Sequence, residues 1–318
     1  MDSTSLTPIE VAEILKITKN TVYELVKRGE IPAYKVGRKL RIDKEDVQNY
    51  INSQKGTSSQ TIKNSSENIN ENKVSKNTIN TLEDESIVIC GQDMILDILG
   101  RHLEEAFPTL KSFRSHMGSY NSLYNLYNDK VSISSCHLWD WETDEYNISF
   151  VKKLLPGTPC TVVNLTYRMQ GFYVQKGNPK NITGWNDLNR DDISYINREK
   201  GCGVRVLLDG KLCELKISSN NLKGYHTEET SHLSVASAIA RGNGDFGIGI
   251  EKVAKQVDNV DFIPLQKERY DLVIKKENLD NQAYKYILEI LNSDKFKAEL
   301  EGIGGYDLKD TGKIMAEI

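Results

Sequence analysis

The side chains of this sequence best suited to chemistry are those that bind an anion. Arg168, Arg198 and Arg205 carry planar guanidinium groups, which donate paired hydrogen bonds to oxyanions. Turns at Gly201 and Thr230 offer backbone N–H groups and hydroxyls. The expected ligand-binding residues are Gln92, Asp93, Ser119, Tyr120, Asn121, His137, Arg168, Asn197, Arg198, Cys202, Gly203, Arg205, Thr230, Ser231 and Asp271. For each arginine, a structural ion pair with a nearby carboxylate stays open as an alternative.

The predicted secondary structure explains how these distant residues could meet. An apolar strand at 86–90 runs through Gly91 into a helix at 94–107, and a second strand at 113–116 runs through Gly118 into a helix at 122–129. A third strand at 131–135 ends at Cys136 and His137. Strands that alternate with helices predict a parallel sheet, whose ligands lie beyond the carboxyl ends of the strands.

The middle of the chain continues this pattern. Extended segments are predicted at 161–167 and 171–175, interrupted by 168–170, with further strands at 193–198 and 245–250. Helices are predicted to follow the polar turns, at 205–215 and 233–241. Because several separate loops end in polar residues at helix starts, one shared site is the simplest explanation.

The cysteines do not indicate a metal site or a disulfide framework. There are five, with no C-x-x-C pair, so no metal or cofactor is expected. Cys202 could be imagined as a nucleophile with His137, His226 or His232 as its base. Nothing in the spacing places such a base, and the protein is not expected to be an enzyme.

Charge is distributed unevenly along the 318 residues. The formal net charge is -4, but residues 16–44 hold nine Lys and Arg against three acidic residues, a net of +6. Residues 55–318 have a net of -5. Residues 53–80 contain only four apolar side chains, which is typical of a flexible linker. A basic N-terminal module, a linker and a larger acidic body are therefore expected.

The basic module has the pattern of a helix-turn-helix with a wing. Thr7-Pro8-Ile9-Glu10 predicts a capped helix with Ile9, Ala12 and Leu15 on its inner face. Thr18 would cap a second helix at 19–28 that buries Val22, Leu25 and Val26 and stops at Gly29, followed by a hairpin around 36–39 and a helix after Asp43. The expected DNA contacts are Lys19, Asn20, Thr21, Tyr23, Lys27, Arg28, Lys35, Arg38, Lys39 and Arg41.

The run TPIEVAEILKITKNTVYELVKRGEIPAYKVGRKLRIDKEDVQNYI resembles the winged helix-turn-helix DNA-binding domain of the excisionase and MerR-like group. The resemblance implies double-stranded DNA as a partner. A homodimer is expected, because one small head makes few base contacts and half-sites normally pair. An excisionase-like recombination accessory protein is the alternative, although such proteins are usually little more than the head.

The segments INREKGCGVR, EETSHLSVASAIARGNGDFGIGI, ERYDLVI and GGYDLKDTG resemble a periplasmic-binding-protein-like (type 2 substrate-binding) domain. The resemblance implies an α/β fold of two lobes with hinges near 164–170 and 262–269. The expected domains are a winged helix-turn-helix at 1–54, a linker at 55–84 and a ligand sensor at 85–318, with lobe one at 85–163 and 270–318 and lobe two at 164–269.

The same resemblance suggests the effector and the function. Similar domains occur fused to enzymes of molybdenum cofactor assembly, which implies molybdate or tungstate. A small carboxylate or a pterin-like metabolite would use the same donors. The chain has neither a membrane-length apolar run nor an export signal at its start, so a cytoplasmic, ligand-responsive transcriptional regulator is expected.

Overall fold

The computed structural model describes residues 5–27, 30–37, 39–44, 46–48, 50 and 86–318. The chain divides into two compact units, Met1–Asn77 and Thr78–Ile318, and each is described by itself. The first is called the head and the second the body below. The predicted linker lies outside the described residues, as do Arg28, Gly29 and Arg38.

The head folds as a helix-turn-helix with a small sheet. Its elements are β1 Ser5–Leu6, α1 Pro8–Leu15, α2 Lys19–Lys27, β2 Tyr34–Val36 and β3 Lys39–Asp43. The predicted capping box of α1 is present, since the Thr7 backbone N–H donates to Glu10 Oε2 at 2.7 Å and the Glu10 N–H donates to Thr7 Oγ1 at 3.4 Å. The Thr21 N–H donates to Thr18 Oγ1 at 3.3 Å, as expected for the start of α2.

The head's small core corrects one detail of the predicted helix face. Val11, Ala12, Val22 and Leu25 are buried, whereas Ile9 is 53% exposed. Ala12 and Leu15 belong to this core as predicted, but Val11 takes the place expected for Ile9, because the side of α1 that carries Val11 packs into the core.

The wing forms as predicted, and it gains a strand that was not expected. β2 and β3 pair antiparallel with Val36 opposite Lys39, and Gly37 has a φ of +62° in the tight turn. β1 pairs with the other side of β3, which makes a three-stranded sheet in the order β1-β3-β2. Residues 44, 46–48 and 50 are helical, in agreement with a helix after Asp43.

The body contains helices on a mixed sheet. Its helices are α3 Ile95–Ala106, α4 Ser119–Tyr127, α5 Ile148–Leu154, α6 Gly203–Glu214, α7 His232–Ala240, α8 Glu251–Ala254, α9 Gln282–Asn292 and α10 Asp294–Ile303. Its strands are β4 Ser86–Cys90, β5 Lys111–Ser115, β6 Ile133–Cys136, β7 Trp139–Asp140, β8 Glu145–Tyr146, β9 Cys160–Gln175, β10 Tyr195–Arg198, β11 Glu228–Glu229, β12 Phe246–Ile250, β13 Val260–Lys275 and β14 Ile314–Glu317.

Two long antiparallel strands, β9 and β13, run through the middle of the main sheet. The order is β11-β10-β12-β9-β13-β6-β4-β5, with β14 also paired to β9. The start of β9 and the end of β13 lie beside β14 and β6, whereas their other ends meet near β12. We call β4, β5, β6 and β14 with their helices the first half, and β10, β11 and β12 with theirs the second half. Both halves thus share β9 and β13.

The continuity of β9 corrects the predicted break at 168–170. Arg168, Met169 and Gln170 pair with Glu268, Lys267 and Gln266 of β13, and this pairing holds them in strand conformation. The sheet is mixed rather than purely parallel, since β9 and β13 run antiparallel to each other, β9 runs antiparallel to β12 and β13 to β6. Register shifts interrupt the β9–β13 ladder between Pro264 and Gln266 and between Tyr270 and Asp271.

Each half has its own apolar core. Residues such as Ile89, Leu99, Leu272 and Leu291 pack together in the first half. Phe172, Phe246, Leu207 and Leu212 pack in the second. Trp139 follows β6 of the first half but joins the core of the second.

Two helices of the body begin earlier than predicted. Helix α4 begins at Ser119 rather than at 122, and α6 begins at Gly203 rather than at 205.

Candidate ligand-binding site and nucleic-acid interface

A small cavity of about 20 Å³ lies between the two halves of the body. The carboxyl ends of β4 and β6 lead into it, and α4, α6 and α7 begin beside it. Such an arrangement aims helix N-termini at a ligand, as the sequence predicted. We call it the inner cavity, and it is lined by Gly91, Gln92, Asp93, Met117, Gly118, Ser119, Ser135, His137, Arg168, Cys202, His232 and Tyr270.

Arg168, in the middle of β9, is the centre of a buried ion-pair network. Its Nη1 donates to Asp93 Oδ2 at 2.6 Å, and its Nη2 lies 2.6 Å from Glu268 Oε1. The guanidinium also stacks on the Tyr270 ring, 3.9 Å from the centroid. Its Nε is buried without a hydrogen-bond partner in the described residues. A donor on a charged group is thus left over at the cavity.

The two carboxylates beside Arg168 stay ionised in spite of their burial. Burial alone would raise the pKa of Asp93, but the Arg168 charge and the N–H of Ile95 lower it below its usual value. Burial opposes ionisation of Glu268 too, and Arg168 together with His137 lowers its pKa. His137 Nδ1 lies 2.7 Å from Glu268 Oε2. Arg168 is therefore offset by two negative charges rather than one.

A second arginine links the two halves at the edge of the cavity. Arg198, at the end of β10, is fully buried and its Nη2 donates to Gln92 Oε1 at 2.7 Å and to the Thr230 carbonyl at 3.1 Å. Gln92 Nε2 in turn donates to the Thr230 carbonyl at 3.3 Å. Glu199 pairs with Arg198 Nε at 2.8 Å. Arg198 Nη1 remains buried without a hydrogen-bond partner among the described residues.

His232, the first residue of α7, is 7% exposed and lines the cavity from the second half. Burial, with the nearby charges of Arg198 and Arg168, lowers its pKa well below the usual value, so the imidazole is neutral at pH 7. Its Nδ1 has no hydrogen-bond partner in the described part of the chain. A buried polar atom of this kind costs free energy unless a ligand or water satisfies it.

The two halves approach closely through glycines. A Cβ at Gly118 would lie 2.5 Å from Cys202 Cα, and one at Gly203 would lie 2.6 Å from the His137 ring. The N–H of Tyr120 donates to the Gly201 carbonyl at 3.0 Å, and Asn121 Nδ2 donates to the Lys200 carbonyl at 3.2 Å. The N-terminus of α4 therefore packs against the turn that precedes α6.

The structure brings some of the expected ligand-binding residues to this region and leaves others elsewhere. Gln92, Asp93, Ser119, His137, Arg168 and Cys202 line the inner cavity. Gly203 faces His137, Arg198 borders the cavity through Gln92, and Tyr120 and Asn121 hold the halves together. Thr230 and Ser231 line a neighbouring pocket.

Asn197, Arg205 and Asp271 do not reach the cavity, and their polar groups serve the fold. Asn197 Nδ2 donates to the Tyr225 carbonyl at 2.7 Å. Arg205 pairs with Glu228 at 2.9 Å and stacks on Tyr225, which fits the structural alternative left open for it. Asp271 is bound by Arg269, Asn147 and Asn164 inside the first half. These three residues are not part of the proposed site.

Several residues that line the cavity or contact its lining residues were not expected from sequence. Ser135 is the last residue of the predicted strand at 131–135, and its Oγ lies 2.6 Å from the Tyr270 hydroxyl. Glu268, from the segment expected as a hinge, and Tyr270, from the segment expected in lobe one, both lie on β13. Tyr306 donates to Asp93 Oδ1 at 2.6 Å from a segment near the C-terminus. The apolar run Leu272-Val273-Ile274 was the signal that could have revealed part of β13.

A larger pocket of about 470 Å³ adjoins the inner cavity. It shares Gln92, Asp93 and His232 with that cavity, and its other walls come from both halves and from the C-terminal segment. We call it the outer pocket, and it is lined by Gln92, Asp93, Met94, His116, Thr230, Ser231, His232, Leu233, Ile250, Lys252, Val253, Gln256 and Tyr306.

Cys202 has the character of a buried thiol. It is 2% exposed at the start of α6, and burial raises its pKa above the usual value in spite of the Arg198 charge. A protonated thiol is a poor nucleophile, so the structure gives no support to a Cys-His pair. Among residues 5–50 and 86–318 as described, no group of three or more His, Cys, Asp or Glu side chains could hold a metal ion.

The expected DNA contacts that the structure describes lie on α2 and β3. Lys19, Asn20, Thr21, Tyr23 and Lys27 are exposed along α2. Lys39 is exposed and Arg41 half-buried on β3, and the backbone of Lys35 lies opposite Leu40 in the wing. Arg28 and Arg38 lie outside the described residues. A helix flanked by a basic hairpin suits the major groove and the adjacent phosphates.

Comparisons with known proteins agree with this architecture. A model of the PBP superfamily domain matches residues 100–292, and a model of a helix-turn-helix domain matches residues 5–55. The uncharacterized protein YvgK of Bacillus subtilis (strain 168) is 43% identical over 316 residues, which cover 99% of both chains. No helix in the described part of the chain is long and apolar enough to span a membrane.

Solved structures share the fold at low identity. The sulfate-binding protein SubI of Mycobacterium tuberculosis H37Rv is 15% identical, with a TM-score of 0.52 over 70% of this chain and 86% of that one. A hydrogen peroxide-bound mutant of OxyR from Corynebacterium glutamicum is 11% identical, with a TM-score of 0.50 over 93% of this chain and 89% of that one. The chain therefore belongs to the PBP superfamily and carries a helix-turn-helix domain in front of its PBP-like domain.

Proposed function

We propose that the protein is a ligand-responsive transcriptional regulator that binds double-stranded DNA through its head and a small anion through its body. The observation that carries the proposal is a buried, polar cavity between two halves of a PBP-like body, in a chain that also has a helix-turn-helix. Such a chain would act where DNA is present, in the cytoplasm of a bacterium or archaeon. Its large body fits a sensor better than an excisionase-like accessory role.

The proposed anion site uses hydrogen-bond donors rather than net positive charge. The charge of Arg168 is already engaged by Asp93 and Glu268, and Glu268 also pairs with His137, so a bound anion needs fixed dipoles and N–H groups around it. Arg168 Nε, Arg198 Nη1 and the starts of α4 and α6 supply donors of this kind. Ser119 adds a buried hydroxyl at the cavity wall.

Size favours a compact ligand in the inner cavity. A volume of about 20 Å³ accommodates one or two water-sized groups. A tetrahedral oxyanion has four oxygen atoms of about this size, so the cavity must expand to hold it, but by less than a pterin-like metabolite would require. Among oxyanions, the resemblance to domains fused to enzymes of molybdenum cofactor assembly makes molybdate and tungstate the first candidates, and the sulfate-binding activity named for SubI makes sulfate the necessary competitor.

The proposed signal is closure of two lobes about β9 and β13. We propose a head at 1–54, a linker at 55–84, lobe one at 85–163 and 270–318 and lobe two at 164–269, with hinges at 164–170 and 262–269. A ligand that contacts both lobes binds the closed state more tightly and shifts the population toward it. Because the head is small, we propose a homodimer whose two heads read paired half-sites.

The experiment is a thermal-shift and calorimetric titration of the full chain with molybdate, tungstate and sulfate. Molybdate or tungstate is expected to raise the Tm in a concentration-dependent way, with sulfate at least about tenfold weaker. Ser119→Ala should weaken binding of the oxyanion, whereas Ser293→Ala should not, because Ser293 caps α10 and does not line the inner cavity. If sulfate binds as tightly, the molybdate assignment fails. If no oxyanion shifts the Tm, the anion site itself fails.

A further inference from the structure

The outer pocket is too large for the compact anion proposed for the inner cavity. Its volume of about 470 Å³ lies within the range of pockets that hold small organic molecules. The inner cavity of about 20 Å³ accounts for none of this space. We therefore expect the outer pocket to bind a ligand other than the compact anion.

The walls of the outer pocket combine apolar surface from both halves. Met94 at the start of α3 is 43% exposed and Leu233 at the start of α7 is 53% exposed. Ile250 and Val253 add aliphatic surface beside them. Exposed apolar side chains on two elements that line one pocket gain free energy when an apolar body covers both.

One cation and one unsatisfied polar atom lie in the same pocket. Lys252 Nζ donates to the Gly304 carbonyl at 2.9 Å and lies 4.1 Å from the centroid of the Tyr306 ring. A carbonyl and a ring leave the ammonium free to donate further hydrogen bonds to an anionic group. The buried Nδ1 of His232, which lines both spaces, lacks a partner among the described residues.

We infer that the outer pocket binds a second ligand, an amphipathic organic carboxylate, whose acid group meets Lys252 and whose apolar body lies between Met94 and Leu233. Any further polar group of this ligand would lie on the side of the pocket lined by His232. Because Gln92, Asp93 and His232 belong to both spaces, occupation of the outer pocket also contacts the residues that enclose the inner cavity.

The test is calorimetric titration of the full chain with phenylacetate, hexanoate and indole-3-acetate, and with their neutral amides. At least one carboxylate is expected to bind with a Kd below about 1 mM, and its amide at least about tenfold more weakly. Lys252→Met keeps the aliphatic stem and should weaken the carboxylate at least about tenfold. The control is Lys255→Met, whose side chain is 68% exposed and pairs with Glu251 outside the pocket.

Two further variants separate this inference from the oxyanion proposal. Leu233→Asn, at an exposed position, should weaken the carboxylate and leave molybdate binding unchanged, whereas Ser119→Ala should weaken molybdate and leave the carboxylate unchanged. The inference is overturned if none of the three carboxylates binds, if the amides bind as tightly, or if Lys252→Met and Lys255→Met behave alike. A carboxylate that still binds when molybdate does not would contradict only the oxyanion proposal.

Discussion

At the scale of single residues, the body is organised around a buried charge network that the sequence only partly revealed. Arg168 and Asp93 were both expected at the site, and they form an ion pair with Arg168 Nη1 2.6 Å from Asp93 Oδ2. Glu268 and Tyr270 could not be found from local pattern, because their relation to Arg168 depends on the pairing of β9 with β13 across about a hundred residues. Spacing along the chain does not encode such long-range register.

Removal of Arg168 should destabilise the body strongly. Arg168→Met leaves Asp93 and Glu268 buried without their cation, and loss of one partner from a buried pair typically costs about 3–5 kcal/mol. Urea unfolding followed by tryptophan fluorescence measures the effect, since Trp139, Trp141 and Trp185 all lie in the body. Arg190→Met removes surface pairs with Asp187 and Asp192 and should cost less than about 1 kcal/mol. Equal losses would show that the network does not hold the body together.

The same carboxylates should make the body sensitive to acid. The pKa values of Asp93 and Glu268 are lower in the folded chain than their ordinary values of about 4, so they bind protons more readily when unfolded. Their stabilisation is present above about pH 4 and is lost as the pH falls through the lowered pKa values. The urea concentration at the unfolding midpoint should therefore decrease as the pH is lowered below about pH 4.

Glu268→Gln provides the comparison for this pH profile. Its midpoint should depend less steeply on pH below about pH 4, because one of the two carboxyls no longer titrates. Burial raises the pKa of Asp271, which gives a contribution of opposite sign that is common to both chains. Parallel profiles for the two proteins would show that Glu268 has the same pKa in the folded and unfolded states.

At the scale of elements, local sequence signals predicted which helices and strands are present better than they predicted where each one begins and ends. Strand, glycine turn and helix were expected for β4 with α3 and for β5 with α4, and the structure has them. The polar run Arg168-Met169-Gln170 was expected to break β9, but strand pairing overrides its local preference. In the head, the capping box predicted the start of α1, while burial of Val11 rather than Ile9 depends on packing against α2.

Gly118, which precedes α4, should control closure of the cleft. Gly118→Ala would place a Cβ 2.5 Å from Cys202 Cα and 2.6 Å from the Gly201 carbonyl oxygen, so the two turns must separate. The proposed closed state, in which these turns meet, is then disfavoured, and oxyanion affinity should fall at least about tenfold with little loss of secondary structure. Titration calorimetry measures this change.

The matched control is Gly302→Ala in α10, where a Cβ meets nothing within 4 Å. Alanine in a helix should leave affinity unchanged and raise stability by up to about 1 kcal/mol. If Gly118→Ala binds the oxyanion as tightly as the unaltered chain, close approach of these turns is not part of ligand binding.

At the scale of the whole molecule, the uneven charge of the sequence corresponds to two units with different roles. The basic window at 16–44 belongs to the head, and the acidic remainder contains the PBP-like domain. A net charge of -4 for the whole chain therefore does not argue against a nucleic-acid partner. The proposed regulator requires that ligand binding in one unit changes DNA affinity in the other, which is a coupling free energy between two sites.

The most direct test measures the DNA affinity of the full chain with and without ligand. Duplexes are first selected from a random library by the unliganded and the molybdate-saturated protein, and their Kd is then measured by fluorescence anisotropy at fixed salt. We expect a selected duplex to bind at least about a thousandfold more tightly than random DNA, with a Kd that changes at least about tenfold when the ligand that shifts the Tm is added. Failure to select any duplex, or a Kd that is the same with and without a bound ligand, would contradict the account.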